Sequence, residues 1–238
     1  MSSRWDIFRF QQSDRRRLRV IIAAALILFM APGISRADTE QDQLVEKARL
    51  TVQAFMTDES VKDELRSFSK EAKGLFIVPQ LLRGAFVFGG AGGSGVLIVR
   101  DEKTGAWSQP AFYNIGAVTF GLQAGGDASE LIFVVRTQKG LEQFYRSDFK
   151  LGADTGLSIG PVGGSASVAG ITADLVSYGR TKGAFAGMSV DGVVVAVSDE
   201  SNEGYYGKPV RPVDILVKNA VGNPKSAGLH AAAGDLMK

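Results

Sequence analysis

Residues 84–100, G-A-F-V-F-G-G-A-G-G-S-G-V-L-I-V-R, constrain the fold more than any other stretch of the chain. An apolar run over residues 85–88 enters a glycine cluster, and a second over residues 96–99 leaves it. Gly90, Gly92 and Gly95 have the G-x-G-x-x-G spacing of a dinucleotide-binding turn. Such a turn needs a helix after the last glycine, so that the helix N-terminus faces the pyrophosphate. Here Val96, Leu97, Ile98 and Val99 follow, and the charged turn Asp101-Glu102-Lys103-Thr104-Gly105 closes the run. Four apolar residues between turn signals make a buried strand, because a helix needs at least about twice that length. The pattern predicts a strand, a tight glycine bend and a second strand, with absent side chains admitting close backbone approach.

The N-terminus is set apart from the fold. The basic block Arg15-Arg16-Arg17-Leu18-Arg19 precedes an apolar run over residues 20–31, then Pro32-Gly33 and Ser35-Arg36-Ala37. This is the three-part layout of a cleavable export signal, residues 1–37, with cleavage after Ala37. The apolar run is short for a bilayer span. Asp14-Arg15-Arg16-Arg17-Leu18 also faintly resembles a twin-arginine signal. The chain has no cysteine, which excludes disulfides and a lipid-modified N-terminal cysteine. Removing residues 1–37 takes away seven arginines and two aspartates and turns the formal charge of +2 into −3. A mildly acidic domain argues against nucleic acid as a partner, so an anionic ligand would have to meet a local patch.

Residues 38–73 read as helical. Thr39 and Asp42 form a cap, and Leu44, Val45, Ala48, Val52, Phe55 and Met56 recur at helical spacing. Asp58 is expected to cap a second helix that buries Val61, Leu65, Phe68 and Ala72 and ends at Gly74. Beside that apolar stripe, Lys62, Arg66, Lys70 and Lys73 fall at steps of four, four and three. The stripe has two readings, a solvated face of a packed helix or a face laid on an anionic membrane surface. Asp63, Glu64 and Glu71 interrupt it.

From Gly74 the texture becomes short apolar runs punctuated by glycine. Strands are expected over residues 75–78, 85–88, 96–100, 112–120, 131–137, 175–178, 184–190 and 193–198, the last two joined by an Asp191-Gly192 hairpin turn. Short helices are expected over residues 138–146 and 212–221, and a loosely held tail over residues 222–238. Residues 38–238 form one domain, with a sheet-rich core over residues 74–221. The expected fold is α+β: N-terminal helices, then a strongly bent, barrel-like, mainly antiparallel glycine-rich sheet with a short C-terminal helix.

Little in the chain points to catalysis. His230 is the only histidine, too few for a Ser–His triad or a histidine metal cluster. No lysine followed by Ser or Thr leads from a glycine loop into a helix, as nucleotide phosphates require. The acidic neighbours Asp58-Glu59 and Asp63-Glu64 point apart on a helix, and Asp199-Glu200-Ser201-Asn202 reads as a turn after a strand. No cofactor, metal ion or catalytic residue is expected.

A succession of motifs then bears on function. Lys73-Gly74-Leu75-Phe76-Ile77-Val78-Pro79 is followed by Gly89-Gly90-Ala91-Gly92-Gly93-Ser94-Gly95-Val96-Leu97, then by Trp107-Ser108-Gln109-Pro110-Ala111-Phe112 and Gly121-Leu122-Gln123-Ala124-Gly125. Gly160-Pro161-Val162-Gly163, Ser177-Tyr178-Gly179-Arg180-Thr181-Lys182-Gly183 and Asn202 with Tyr205-Tyr206-Gly207 complete the series. In this order the motifs resemble the SYLF domain, a module of actin-patch adaptors in eukaryotes and of exported bacterial proteins. The resemblance covers roughly residues 44–217 and implies binding of membrane lipid, with phosphoinositides as the eukaryotic ligands, and no enzymatic activity. It favours the membrane reading of the basic stripe, because a basic amphipathic helix precedes the sheet in lipid-binding relatives. The expectation is therefore an exported protein that meets an anionic phospholipid surface through Lys62, Arg66, Lys70 and Lys73, with Arg83, Arg180 and Lys182 as neighbours. The alternative is an envelope structural or protein-interaction module, docking a protein partner on the glycine-rich sheet or near Tyr205-Tyr206. With an export signal in place, actin is not expected as a partner.

Overall fold

The chain divides into two units, Met1–Ala37 and Asp38–Lys238. A computed structural model describes residues 39–85, 88–120, 125–161, 172–181, 184–186, 190 and 192–238. The expected export signal therefore lies outside the described residues, all of which belong to the second unit.

Helix α1, Glu40–Met56, starts where the sequence predicts. The Thr39 hydroxyl accepts from the Asp42 amide at 3.1 Å, and the Asp42 carboxylate accepts from the Thr39 amide at 2.9 Å. The exchange satisfies two otherwise orphaned N–H groups. Val45, Ala48, Val52 and Phe55 line its buried face. Helix α2, Lys62–Lys70, buries Leu65 and Phe68 as expected. Asp58 does not cap it with its side chain. Its carboxylate accepts from the Ser60 amide and hydroxyl, only its carbonyl reaches the Lys62 amide, and Val61 is the N-cap residue.

Strands β1 (Gly74–Ala85), β2 (Phe88–Val99), β3 (Ala111–Phe120), β4 (Gly125–Val135), β5 (Asp148–Lys150), β6 (Leu157–Ile159), β7 (Leu175–Thr181), β8 (Ala184–Ala186) and β9 (Val194–Val197) form one sheet. Its order is β5-β9-β3-β2-β1-β4-β7-β6, with β8 paired to β7. Every pair is antiparallel except β6 with β7, and the whole is a curled, mixed half-barrel.

The bend expected at the glycine cluster is not there among the described residues. Gly89 to Gly95 lie inside β2, paired on one side with β1 and on the other with β3. The reason is a bulge in β1. Between the pairs Ile77↔Val96 and Gln80↔Ser94, Val78 and Pro79 stand opposite the single residue Gly95. Proline donates no ladder hydrogen bond, so a bulge is where a central strand accommodates it. A Cβ on Gly93 would sit 2.2 Å from the Gln80 carbonyl oxygen, and one on Gly95 2.7 Å from that of Ile77. These two glycines let the strands close up across the bulge.

Alternate residues feed two cores. Leu75, Ile77, Val96, Ile98, Ile132 and Val134 pack under α1, α2 and the C-terminal helix. Phe76, Val78, Leu97, Leu131, Phe133 and Val135 face the opposite layer, with Leu141 of α3 (Gln138–Gln143) and Ile215 and Leu216 of α5 (Pro212–Leu216). Burial on both faces explains why these strands read as unbroken apolar runs.

Three further expectations are corrected. Residues 184–186 pair with β7, whereas β9 pairs with β3 and β5, so these two segments form no hairpin. Of the expected turn, Asp191 lies outside the described residues, and Gly192 has a φ of 77° and an amide that donates to the Leu151 carbonyl at 2.8 Å. Asp199–Tyr206 is helix α4 rather than a turn. Its Asn202 is fully buried, donates to the Phe112 and Ser198 carbonyls and accepts from the Phe112 amide. The tail is not loose. Ala227–Leu236 forms helix α6, which buries Leu229, Ala232, Ala233 and Leu236 against α1. It is pinned by the 2.9 Å contact of His230 Nε2 with the Ser108 carbonyl, and by Gln109 Oε1 accepting from the Asn223 amide and Ser226 hydroxyl.

Candidate functional site

Helix α2 presents the expected basic stripe from a firmly seated base. The Phe68 ring meets Tyr178 edge-on at 6.4 Å, and the Arg136 guanidinium lies 5.3 Å from the Phe68 ring centre. Burial pushes the Tyr178 hydroxyl far above its ordinary pKa, with Glu64 adding to the shift, so it stays protonated.

The cations of the stripe differ in situation. Lys62 pairs with Glu59 at 2.6 Å one turn earlier. Arg66 is half-buried, and its Nε has no hydrogen-bond partner among the described residues. Lys70 is exposed at the end of the helix, where its carbonyl accepts from Arg100 Nη1 at 3.3 Å. Lys73 lies past the helix, on the lead into β1, with its ammonium on Glu102 and its backbone bonded to Val135 and Arg100.

Of the three neighbours expected, Arg180 lies near the start of α2 and Arg83 lies apart from this group. Arg180, on β7, donates from Nε to Glu130 Oε2 at 2.6 Å, and its guanidinium is 5.9 Å from the Phe55 ring centre. Arg180 also helps Asp58 to stay ionised, although hydrogen bonds from Ser60 are the larger cause of the lowered Asp58 pKa. Arg83 is half-buried near the far end of β1, opposite Ala91 and Asp127. At about 3.3 Å per residue, Lys73 and Arg83 stand about 30 Å apart along the strand. Lys182 lies outside the described residues.

The structure thus gathers Lys70 and Lys73 at one end of the sheet and leaves Arg83 near the other. To that end it adds Arg100 and exposed Lys103, which sequence reasoning does not single out. Arg100 closes β2 through a bridge to Trp107. Lys103 rides a turn ordered by Asp101, whose carboxylate accepts from the Lys103 and Thr104 amides. The available signal is that turn: Asp101 and Gly105, whose φ is 72°, shape it, Arg100 bonds the Lys73 backbone, and Glu102, next to Lys103, reaches the Lys73 ammonium.

The Tyr205 and Tyr206 side chains are both engaged within the fold. Tyr205 is buried against Phe112 at 4.9 Å, and the Tyr206 hydroxyl donates to the Pro110 carbonyl at 2.6 Å. Among the described residues, no group of three or more His, Asp or Glu side chains is placed to hold a metal ion. Nor is any helix among them long and apolar enough to cross a membrane.

Residues 116–235 match the family model described as "Ysc84: Las17-binding protein actin regulator". LAS seventeen-binding protein 3 of Saccharomyces cerevisiae is 34% identical over 163 residues, which cover 65% of this chain and 34% of the yeast protein. Protein YSC84 of the same yeast is 34% identical over 147 residues, 58% of this chain and 30% of its own length. SH3 domain-containing YSC84-like protein 1 of Bos taurus is 29% identical over 151 residues, 61% of this chain and 43% of its own. The chain thus spans about a third of the yeast proteins. The family description names actin, so the expectation that actin is not a partner finds no support. The family match starts at Gly116, after the basic stripe and the glycine cluster.

Proposed function

The chain belongs to the Ysc84 family, and on that premise we propose that it is an exported, non-enzymatic protein that binds anionic phospholipid at a membrane surface. In this reading Lys62, Arg66, Lys70 and Lys73 meet the lipid phosphates, with Arg83, Arg180 and Lys182 as outlying contributors. The observation that carries it is the grouping of Lys70 and Lys73 with Arg100 and Lys103 at one end of the sheet. Basic residues held near an anionic leaflet contribute about 1 kcal/mol each, so four give useful affinity that weakens as salt rises. The ion pairs of Lys62 and Lys73 are partly exposed and compete only weakly with a charged surface.

The test is sedimentation with vesicles containing phosphatidylglycerol, set against vesicles of phosphatidylcholine alone. Replacing Lys62, Lys70 and Lys73 by Glu together lowers binding at least tenfold, with the circular dichroism spectrum unchanged. Arg66 is left alone because its buried Nε ties it to packing. Undiminished sedimentation of the triple variant rejects the site. The export component rests on the basic block, the apolar run and the small residues before Asp38. N-terminal sequencing of the protein from cells that make it checks this, and an intact Met1 in the mature form counts against cleavage.

A second reading follows the relatives' names, which describe binding to a protein. It takes the chain as a protein-docking module. Pelleting with actin filaments in the absence of lipid, at saturable stoichiometry, favours it over the first.

A further inference from the structure

Helix α1 and the sheet bound an open cleft that no residue of α2 lines, and the phospholipid reading uses little of it. Its larger part, about 620 Å³, is lined by Leu50 and Ala54 of α1, Pro79 at the β1 bulge, Ala128 of β4 and Arg180 at one end. A smaller part, about 200 Å³, continues toward Leu82, Gly92 and Ser94. Lys47, Pro79 and Gln80 line both. The lining residues of α1 run from Glu40 to Ala54, so at 1.5 Å rise per residue the cleft is about 20 Å long.

Three features say what fits. Leu50 and Leu82, 49% and 55% exposed, are two of the four exposed large apolar side chains among the described residues, and both open onto this cleft. The floor beside Leu82 is nearly bare, because its cross-strand neighbours are Gly92 and Ala128. Lys47 stands where the two parts join and makes no ion pair among the described residues, whereas Arg180 is already paired with Glu130. The cleft is about 10 Å wide, the spacing of the strands on either side of β1, so it offers on the order of 200 Å². A stable protein partner needs about 800 Å² from each side, whereas a concave, mostly apolar site of several hundred Å³ suits a small ligand.

We propose that this cleft binds a free long-chain carboxylate, with the hydrocarbon chain along Leu50, Ala54, Pro79 and Ala128 and the carboxylate on Lys47. The site is separate from the cations of α2 and stands or falls apart from them.

The test is titration calorimetry of the full chain with dodecanoate below its micelle concentration. Dodecanoate binds saturably, and dodecanol, which lacks the charge, binds at least tenfold more weakly. Lys47→Glu lowers dodecanoate affinity at least tenfold, and Lys47→Arg restores it. Leu50→Lys, at an exposed helical position, and Ala128→Phe, which fills the larger part, each lower it at least tenfold with the melting temperature unchanged. Absence of heat with dodecanoate overturns the proposal, as does equal binding by Lys47→Glu or by both Leu50→Lys and Ala128→Phe. The Lys62, Lys70 and Lys73 triple variant keeps dodecanoate binding, and Ala128→Phe keeps sedimentation with vesicles, so failure of either site is read separately from the other.

Discussion

The long central strands β1, β2 and β4 change character at the bulge around Pro79. Before it, Leu75 to Ile77 of β1 pair with Val96 to Ile98, Leu75 to Val78 pair with Leu131 to Val134, and these side chains are buried in one core or the other. Beyond it the ladder continues through Leu82↔Gly92, Arg83↔Ala91 and Gly84↔Gly90, yet Leu82, Gly84, Gly90 and Gly92 are exposed. Backbone hydrogen bonding is the same in both halves, and side-chain burial is not. Since apolar burial is the main favourable term in folding, the first half holds the sheet together. In the second half one face still buries Leu81, and the other, carrying Leu82, Gly92 and Ala128, is free to serve as a surface, which is where the cleft lies.

The largest expected effect tests that division directly. Phe76 lies in the first half, fully buried among Tyr113, Phe133 and Phe144 at ring distances of 5.2–5.8 Å. Phe76→Ala should destabilise by about 3–5 kcal/mol, the cost of lost transfer energy plus a cavity. Leu82→Ala, on the same strand past the bulge, should cost less than about 1 kcal/mol. Urea denaturation midpoints measure both, and equal losses would mean that the halves share one core.

Next comes the seam between them. A Cβ at Gly93 meets the Gln80 carbonyl oxygen at 2.2 Å, and backbone cannot step aside as a flexible side chain can. Gly93→Val should therefore cost about 3 kcal/mol or leave the chain unfolded. A stable Gly93→Val with unchanged melting would show that the bulge tolerates separation of β1 from β2.

These positions also show how much of the fold is legible in the sequence. The apolar runs of the first half announce strands, and the Thr39–Asp42 cap announces α1, because the deciding interactions are local. The glycine cluster reads wrongly as a bend because the reason for Gly93 and Gly95 lies across the ladder, in Pro79 on another strand. Helix α6 is missed because Leu229, Ala232, Ala233 and Leu236 make a stripe of mostly small side chains that gains its meaning only against α1. Of the seven basic residues, Lys62, Arg66 and Lys70 share one helix and can be grouped by periodicity. Arg100 and the turn that carries Lys103 come to Lys73 only through pairing of β1 with β2, which sequence spacing does not encode. The cleft has no sequence signal, since Lys47, Gln80 and Ala128 come from separate elements.

A smaller effect concerns how the covered face is closed. His230 is the only histidine in the chain, and burial lowers its pKa below the ordinary 6.5, partly offset by its hydrogen bond to the Ser108 carbonyl. The folded state thus holds the imidazole neutral, and protons prefer the unfolded chain. Stability from this group is complete above about pH 6.5 and is lost as the pH falls from there through the folded value. Melting temperature should drop between pH 7 and pH 5, and His230→Gln should flatten that drop. A wild-type profile no steeper than that of His230→Gln would show that α6 is not closed by this contact.

The smallest effect is the sharpest probe of the bare half. Gly92 has no positive φ, and a Cβ there meets nothing within 4 Å. Gly92→Val should then cost nothing sterically, gain a β-branched residue on a strand and restrict the unfolded chain. The expected result is a change of a few tenths of a kcal/mol, in the stabilising direction, against the large loss at Gly93 one residue away. Gly92 also lines the smaller part of the cleft, beside Leu82. A valine there narrows that part without touching the larger one, so dodecanoate binding should persist if the chain runs toward Ala128. Loss of binding with unchanged stability would place the chain toward Leu82 instead, on the glycine floor itself.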